Sequence, residues 1–377
     1  MSMDATVALA ACRSYAQEQV DEAIHALLAQ YGGAAALAGG KRVLLKPNLL
    51  MPRDPKEVTT THPSVVRALA REFKNAGCSV TIADSCGGTY QRAVLTRLYR
   101  ATGMDQVAQD TGAMLNLDIS SAELTYSGGK RIGSIPVIRP VHDAEFIVSV
   151  GKMKTHGLTY YTGVVKNLFG VVPGLCKPMY HAKFPDKIAF CEMIVDLCEL
   201  IAPGFSVLDG VVGMQGRGPS GGTPKSAGVL LGGRNPHAVD LAALRVMGLD
   251  ASLAPTVQDA ISRRLIPPRA EDLCYLSGDP TQHLLHFSPA SGKAPGFLIR
   301  CVPKKFRALL GCLIAPYPNI MQNRCVGCDE CAQTCPMHTI EVVDHKAQIH
   351  YEKCVKCYCC HELCPVRAIT FKRIVKK

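Results

Sequence analysis

The chain has 377 residues, enough for two or three domains, and its 47% hydrophobic and 19% charged residues are ordinary for a soluble globular protein. The longest weakly polar run, residues 308–320, contains two prolines and is shorter than the ~20 residues of a membrane-spanning helix. The formal net charge of +11 would suit nucleic acid, but the chain has no tryptophan and only 6% aromatic residues for base stacking, so we expect no nucleic-acid partner.

The N-terminal segment carries Asp4 and only a short apolar run over residues 7–12. It lacks the basic start and the long apolar core of a secretion signal. We therefore expect a cytoplasmic protein without a transmembrane segment.

Short apolar segments alternate with amphipathic helical patterns along the first 280 residues or so. This order predicts an α/β domain with a largely parallel sheet and flanking helices. We expect strands over residues 43–45, 80–83, 146–150, 206–208 and 229–231. We expect helices over residues 17–30, 63–76, 90–102, 187–201 and 238–247. The turn SGGK predicts a hairpin inserted between residues 114 and 138.

Polar or glycine-rich sequence follows each of the five predicted strands. In an open parallel sheet, ligands bind outside the carboxyl ends of the strands, where loops and helix N-termini converge. The sequence therefore predicts one cleft at that edge. The residues that we expect to bind a substrate there are Lys46, Asn48, His62, Asp84, Asn167, His181 and Asp209.

Helix capping is the alternative explanation for such polar residues. We prefer it for Thr61, Ser85 and Asn235, because caps are commoner than ligands. Lysines make poor caps, so those at the strand ends are either surface residues or anion contacts.

The segment VVKNLFG lies within a predicted helix over residues 163–172. Its apolar side chains fall on one arc of that helix, and Gly163, Lys166, Asn167 and Gly170 fall on the opposite arc. An interior glycine costs about 1 kcal/mol relative to alanine, so two on one face predict that a ligand approaches closely there. The alternatives are a loop, or glycines that pack against a neighbouring strand.

The glycine-rich run GMQGRGPSGG, residues 213–222, lacks the strand-turn-helix setting of a dinucleotide-binding fingerprint. Its glycines and Pro219 favour a mobile loop over the cleft. Further on, no acidic residue occurs from Pro280 to Cys328. The chain is therefore predicted to have an α/β domain over residues 1–279, a basic linker containing proline and glycine over 280–317, and a small C-terminal domain over 318–377.

Cysteine is concentrated in that last domain: nine of the 18 lie in the 40 residues from Cys325 to Cys364. The sequences CVGCDECAQTCP and CVKCYCCHELCP repeat one spacing, C-x2-C-x2-C-x3-C-P. Three cysteines of such a loop hold one cubane, whereas the fourth reaches the neighbouring cluster. The spacing therefore predicts two 4Fe-4S clusters. The ligands of one are Cys325, Cys328, Cys331 and Cys364, and those of the other are Cys354, Cys357, Cys360 and Cys335.

Zinc and disulfides are the alternatives for these cysteines. Zinc needs only four ligands per ion, with a longer gap between pairs, and disulfides fit poorly with a chain that lacks a secretion signal. Cys359 is one more cysteine than the pattern needs. We interpret it as a buried thiol beside a cluster, and a register exchange with Cys360 stays open.

Residues 318–377 resemble the bacterial two-cluster ferredoxins, which implies a small α+β fold. The ordered motifs VLLKPNLL, ADSCGG, KMKTH, VVKNLFG and DGVVGMQGRGPSGG resemble the family called domain of unknown function 362, over about residues 5–260. That family is often fused to a ferredoxin module. The resemblance implies a redox role without a settled substrate.

A looser similarity is to nickel-pincer lactate racemase. There a histidine precedes, by ten residues, the lysine that carries the cofactor, and a metal-binding histidine follows a Pro-Gly pair. His156, Lys166 and His181 stand in this order here, although Gly163-Val164-Val165 replaces the doubled glycine of the racemase. The similarity implies a pocket for a small hydroxy or keto acid.

We expect an iron–sulfur oxidoreductase that passes single electrons to a small anionic organic substrate, or to a second cofactor, in the cleft. Lys46, Lys154 and Lys166 would neutralise the substrate's charge. His156 would transfer a proton, with His62 or His181 as second candidates. A flavin or nickel as additional cofactor stays open. The alternatives are a non-enzymatic electron-transfer or cofactor-assembly protein and a nickel-pincer-type isomerase of a small hydroxy acid.

The expected protein partner is an acidic electron donor such as ferredoxin or flavodoxin. The acid-free linker and the C-terminal FKRIVKK would attract it. An anionic membrane surface is the alternative for these basic segments, and a homodimer is left open.

Overall fold

A mixed, mostly parallel sheet forms the centre of the larger domain. The computed structural model describes residues 4–290 and 316–372. The strands of the larger domain are β1 (Thr6–Ala11), β2 (Arg42–Pro47), β3 (Ser79–Ile82), β4 (Met114–Leu115), β5 (Ser121–Thr125), β6 (Ser134–Ile138), β7 (Phe146–His156), β8 (Tyr160–Thr162), β9 (Phe205–Gln215), β10 (Thr223–Gly233) and β11 (Cys274–Ser277).

Nine of these strands share one sheet, with the order β11-β1-β10-β9-β7-β2-β3-β4 and with β8 paired to β7. The pairs β2–β3, β2–β7, β3–β4, β7–β9 and β1–β11 are parallel. The predicted fold class, an α/β domain with a largely parallel sheet, is therefore confirmed. The predicted hairpin is also present, because β5 and β6 pair antiparallel around the SGGK turn.

Strand β10 contradicts the prediction of five strand ends at one cleft. It runs antiparallel to both β9 and β1, so its carboxyl end lies at the opposite edge from those of β2, β7 and β9. Asn235, which follows β10, instead accepts hydrogen bonds from the backbone N–H groups of His237 and Ala238. It is the helix cap that the sequence predicts.

Helices cover both faces of the sheet. They are α1 (Gln17–Ala29), α2 (Gly33–Ala38), α3 (Pro63–Asn75), α4 (Arg92–Thr102), α5 (Met104–Thr111), α6 (Arg139–Asp143), α7 (Val164–Asn167), α8 (Cys176–Lys183), α9 (Lys187–Ile201), α10 (Pro236–Met247) and α11 (Pro255–Ser262). Alternate residues of β2 point to opposite faces: Val43 and Leu45 pack with α1 and α3, whereas Leu44 packs with α9.

Strands β2, β7 and β9 extend past their predicted ends because polar residues continue them. Lys46 lies within β2, Lys152, Lys154 and His156 lie within β7, and Asp209 lies within β9, although the sequence suggested that they follow these strands. The glycine-rich run begins inside β9, and its remainder joins β9 to β10. Ser220 in that connection donates to the backbone carbonyl of Glu362 in the smaller domain at 3.0 Å.

The smaller domain consists of two antiparallel strand pairs and two short helices. Its elements are β12 (Tyr317–Ile320), α12 (Glu330–Gln333), β13 (Ile340–Val343), β14 (Lys346–Ile349), α13 (Cys359–Glu362) and β15 (Ile369–Lys372). Strand β12 pairs with β15, and β13 pairs with β14. The predicted ferredoxin-like α+β domain is therefore present.

The internal repeat is also visible in the backbone. Positive φ angles at Gly327 and Asp329, 67° and 66°, recur 29 residues later at Lys356 and Tyr358, at 54° and 64°. The same spacing relates the first and second sets of cysteines in the two motifs. Since residues other than glycine rarely adopt positive φ, the repeated strain shows that both halves wrap their cysteines in the same loop.

The α/β domain continues past residue 279, where the linker was predicted to begin. Pro280–His283 form a 3-10 helix, and Phe287 is buried in the core beside α10. Residues 291–315 of the predicted linker, and 373–377 of the basic C-terminus, lie outside the described residues. Within the described parts of the chain, no helix has the length and apolar character needed to cross a membrane.

Candidate functional site

A cavity of about 80 Å³ lies where the two domains meet. The larger domain lines it with α7, α8 and the loops after β2 and β3, and the smaller domain lines it with α13 and neighbouring residues. Six of the ten predicted catalytic and substrate-binding residues line this cavity. They are Lys46, Asn48, Asp84, Lys166, Asn167 and His181.

Lys46 and Asp84 form a buried ion pair in the cavity wall. The Lys46 Nζ lies 2.7 Å from Asp84 Oδ1 and donates a hydrogen bond to Asn167 Oδ1 at 2.9 Å. Burial lowers the pKa of Lys46, and the neighbouring Asp84 carboxylate opposes that shift. Because the two charges cancel, the pair adds no net charge to the cavity.

The protein's own side chains approach the two glycines that were predicted to face a ligand. A Cβ on Gly170 would lie 2.3 Å from Asp84 Oδ1 and 2.5 Å from Lys46 Nζ. A Cβ on Gly163 would lie 2.0 Å from the hydroxyl of Tyr161 in β8. Gly163 is therefore explained by packing against a strand, which was the alternative to a bound ligand. At Gly170 the missing side chain leaves room for the Lys46–Asp84 ion pair.

Lys166 is the cavity lysine without a fixed partner. It lies at the end of α7, which is one turn long and continues as a 3-10 helix, not as the single helix predicted. Its Nζ forms no hydrogen bond or ion pair with any residue that the structure describes. Lys177, by contrast, donates to oxygen atoms of Ser85 and Cys86, and burial lowers its pKa to about 8. Lys166 therefore makes no direct contact with a partner in the wall, and Glu362 is the cavity acid on which its charge acts.

His156 is buried behind the cavity wall and contacts the smaller domain. Its Nε2 lies 3.1 Å from Glu362 Oε1, and its Nδ1 accepts from the backbone N–H groups of Leu158 and Thr159. An accepting Nδ1 leaves the ring proton on Nε2, which lies near the carboxylate without the geometry of a hydrogen bond. Burial, followed by the charge of Lys166, lowers the pKa of His156 to about 4. Glu362 lines the cavity, whereas His156 does not.

Lys154 lies directly behind Asn48. Its Nζ donates to Asn48 Oδ1 and to the carbonyl of Thr59, both at 2.8 Å. Burial, followed by repulsion from Lys166 and Lys152, lowers the pKa of Lys154 to about 7. The side chain therefore exchanges its proton near neutral pH.

Asp209 and His62 belong to a separate buried group. Asp209 accepts from the Nζ of Lys152 and from the hydroxyl of Tyr15, both at 2.8 Å. The ring of His62 stacks on that of Tyr15 at 3.7 Å, and its Nδ1 caps α3 by accepting from the backbone N–H of Ser64. The structure does not bring these two predicted residues to the cavity.

The eight predicted cluster ligands form two groups of four, and each group lines its own small cavity. All eight are free thiols. Burial, followed by the three other thiols of its group, raises the pKa of Cys331 to about 11, so these four sulfurs lie close together. Four cysteine sulfurs around one small cavity are the donor set of a 4Fe-4S cluster, and the residues fit that group.

Cys359 lines two cavities, the one at the domain boundary and the one of the second cysteine group. The backbone repeat matches Cys360 to Cys331 and Cys359 to Glu330. Cys360 therefore occupies the same place in its repeat as Cys331 does in the first one. Cys359 is a buried thiol.

Several cavity residues were missed by the sequence analysis. Ser85 is not a helix cap: it accepts from the backbone N–H of Gly174 and lines the cavity. Thr61 is not a cap either, since it donates to the carbonyl of Val150.

Lys177 also lines the cavity and lies four residues before His181 in α8, and this helical spacing was the available signal. The smaller domain adds Thr334, Cys359, Glu362 and Leu363.

A further set of side chains has the composition of a metal site. The ligand atoms of Cys198, Glu199 and His237 lie within 4.8 Å of one another. Glu199 and His237 already pair at 3.0 Å, and burial raises the pKa of Cys198 well above its usual value. A hydrogen bond between histidine and carboxylate beside a protonated thiol accounts for this group, so we assign no metal to it.

Comparisons with known proteins agree with this two-part organisation. A family model described as "Domain of unknown function (DUF362)" matches residues 43–245, and one described as "4Fe-4S dicluster domain" matches residues 324–368. The chain is 30% identical over 289 residues to "Thylakoid-associated protein sll1697" of Synechocystis sp. (strain ATCC 27184 / PCC 6803 / Kazusa), which covers 74% of this chain and 85% of that protein.

Among solved structures, the chain is similar to the lactate racemase apoprotein from Thermoanaerobacterium thermosaccharolyticum. The TM-score is 0.40 at 16% sequence identity, over 62% of this chain. The chain spans 56% of the racemase chain.

Proposed function

The chain belongs to the DUF362 family and carries a ferredoxin-type domain for iron–sulfur clusters, and from this premise we propose that it is an iron–sulfur oxidoreductase. It passes single electrons to a small organic anion. The observation that carries the proposal is the shared cavity, because its wall combines an unpaired lysine of one domain with the cysteine-bearing helix α13 of the other.

The proposed cofactors are two 4Fe-4S clusters, held by the two groups of four cysteines described above. When bound, such clusters supply and accept single electrons. The protein contributes the binding site and the exclusion of water. Several apolar side chains, among them Leu50, Phe169 and Leu363, line the cavity and lower its water content.

The charges of the side chains that line the cavity determine which ligand can bind there. Asp84 compensates Lys46. The ring of His156 is neutral near pH 7, so the carboxylate of Glu362 keeps a negative charge, which offsets one of the two other cavity lysines, Lys166 and Lys177. The charge of one lysine is then left to bind an anion. A small monoanion such as a hydroxy or keto acid meets this balance, and its attraction is stronger in a cavity that excludes water.

We assign proton transfer to Lys154. Its pKa of about 7 is close to the working pH, which favours a general acid or base. Its Nζ lies 2.8 Å from Asn48 Oδ1, and Asn48 separates it from the cavity. Because an amide does not relay a proton, the transfer requires the Asn48 side chain to turn aside so that Nζ reaches the ligand. His156, which was expected to transfer the proton, orients Glu362 in this proposal.

The test uses the full chain with its clusters, purified without oxygen and reduced by dithionite. We expect one or more small keto acids to reoxidise the clusters, as followed by their visible absorbance, because a keto group that takes two electrons and two protons becomes a hydroxy group. Lys166→Met should slow this reoxidation by about 100-fold or more, which is roughly 3 kcal/mol for a lost charge contact. Lys166→Arg, the matched control, should keep a larger part of the rate.

Iron content separates this effect from damage to the clusters. Both Lys166 variants should bind as much iron as the unchanged protein. If Lys166→Met reacts as fast as the unchanged protein, the cavity is not the reaction site. If no small anion is reduced without a second protein, the chain is an electron carrier and not an enzyme.

The proposed electron donor is an acidic one-electron carrier such as ferredoxin or flavodoxin, and the proposed location is the cytoplasm. The printed name of the Synechocystis relative associates that protein with thylakoids. A membrane surface is therefore the competing location. Cell fractionation distinguishes the two, since a cytoplasmic protein stays in the supernatant at low salt.

A further inference from the structure

We infer that the two cluster sites have different tasks, and that the one bound by Cys335, Cys354, Cys357 and Cys360 is in contact with the cavity ligand through Cys359. We call this the proximal site, and we call the site of Cys325, Cys328, Cys331 and Cys364 the distal site. The inference rests on the proposed function, which supplies both clusters and the ligand.

The proximal site and the ligand cavity have a wall in common. Cys359 lines both of them. No residue lines both the ligand cavity and the distal site within the described parts of the chain. Leu363, which precedes the distal ligand Cys364, lines the ligand cavity and packs against Gly87, where an added Cβ would lie 2.2 Å from its Cδ2.

The distal site faces solvent instead. Cys328 is exposed, and Val326 and Val366, which line the same small cavity, are 59% and 39% exposed. Cys331 and Cys364 of the distal group are buried, as is Cys360 of the proximal group, so Cys328 is the one exposed cysteine among the eight. An external protein can therefore approach the distal site at Cys328, whereas the ligand cavity borders the proximal site at Cys359.

This arrangement orders the electron transfers, because transfer rates fall steeply with distance. Held by the distal cysteines, a cluster would accept one electron from an external one-electron donor protein, which is thereby oxidised. Held by the proximal cysteines, a second cluster would receive that electron and supply it to the ligand. A two-electron reduction would need this sequence twice.

The test measures the reduction potential of each cluster and does not require an identified substrate. The full chain with both clusters is titrated with a reductant and followed by electron paramagnetic resonance. Variants Cys328→Ser and Cys357→Ser assign each signal to its site. Lys166→Met removes a positive charge from the ligand cavity, and a reduced cluster nearby loses that charge's stabilisation.

The expected result is a lower potential for the proximal cluster in Lys166→Met and an unchanged potential for the distal cluster. Lys166→Arg should change neither potential. Lys41→Met should also change neither, because Lys41 precedes β2 and lies at the opposite edge of the sheet. An equal or larger shift of the distal cluster, or no shift of either, would overturn the assignment.

Iron content and the number of cluster signals are measured first on the unchanged protein. A chain that holds a single cluster would refute the proposed function, and the assignment with it. Two clusters with a shift at the wrong site would refute the assignment alone.

Discussion

Buried lysines are the main feature of this protein at the scale of single residues. Lys46, Lys152 and Lys154 are almost fully shielded from solvent, and each has different partners: Asp84, Asp209, or the neutral oxygens of Asn48 and Thr59. Removing the partner of a buried charge destabilises a protein by about 3–5 kcal/mol. The site is therefore sensitive to small displacements around these pairs.

Gly170 provides one test of that sensitivity. Gly170→Ala places a Cβ against the Lys46–Asp84 pair, and we expect it to lower the free energy of unfolding by about 1–3 kcal/mol, as overpacking does. Gly133→Ala is the control, because a Cβ there meets nothing within 4 Å. Denaturant unfolding measures both, and equal stabilities for the two variants would contradict the role assigned to the pair.

His181 provides a test by pH. Burial lowers the pKa of its imidazole from 6.5 to about 3, so the folded protein holds this ring neutral while the unfolded chain protonates it below pH 6.5. Stability present above pH 6.5 is thus lost as the pH falls, by up to about 1.4 kcal/mol per pH unit. In His181→Phe, which keeps a ring beside Phe190, the free energy of unfolding should fall less steeply between about pH 6.5 and pH 5. An unchanged slope would show that His181 is protonated in the folded protein.

At the scale of secondary-structure elements, α13 connects the two domains. Glu362 at its end contacts His156 of β7, and Arg53, in the loop after β2, donates to the carbonyl of Cys364 just beyond it. Arg367, further along the chain, pairs with Glu57 of the larger domain. One four-residue helix thus carries a predicted cluster ligand, a cavity wall and an interdomain contact.

The extra cysteine of α13 gives a direct test of the ligand assignment. Cys360→Ser should lose about half of the iron, because it removes one of the four ligands of a single cluster. Cys359→Ser should keep all of it. The measurement is iron per chain after reconstitution, and the reverse result would show that the two cysteines have exchanged roles.

Sequence patterns identified most elements of the sheet but misjudged where several strands end. The strands β2 and β7 were expected to end before Lys46 and Lys152, because lysine inside a buried strand is rare. Both lysines remain in the strands since Asp84 and Asp209 neutralise them. Asp84 and Asp209 are distant in sequence from these lysines, so no local sequence pattern predicts the pairing.

The candidate site was also predicted where local spacing defines it and missed where distant contacts do. Regular spacing located the cysteine groups, and glycines on one face pointed to Lys166 and Asn167. Lys177, Glu362 and Leu363 were missed, because they reach the cavity only after α8 folds over the sheet and the smaller domain docks. Docking of this kind depends on tertiary contacts, which periodicity does not encode.

At the scale of the whole molecule, the formal net charge of +11 should steer an acidic electron donor. We expect the rate of reduction by an acidic ferredoxin to fall several-fold as ionic strength rises from about 0.01 to 0.5 M. Reduction by photoreduced deazaflavin, a small donor without strong charge, is the control and should change little. A rate that does not respond to salt would show that the donor associates without electrostatic attraction.

The cavity at the domain boundary also links this protein to iron supply. Small cysteine-rich domains depend on their metal to fold, and α13 of such a domain closes one side of the cavity. A chain that matures during iron starvation would keep its nine-stranded sheet but lack a complete pocket. Shortage of iron, or damage to the clusters by oxygen, would then remove the activity of the protein without any change in its synthesis. Renewed cluster assembly would restore that activity.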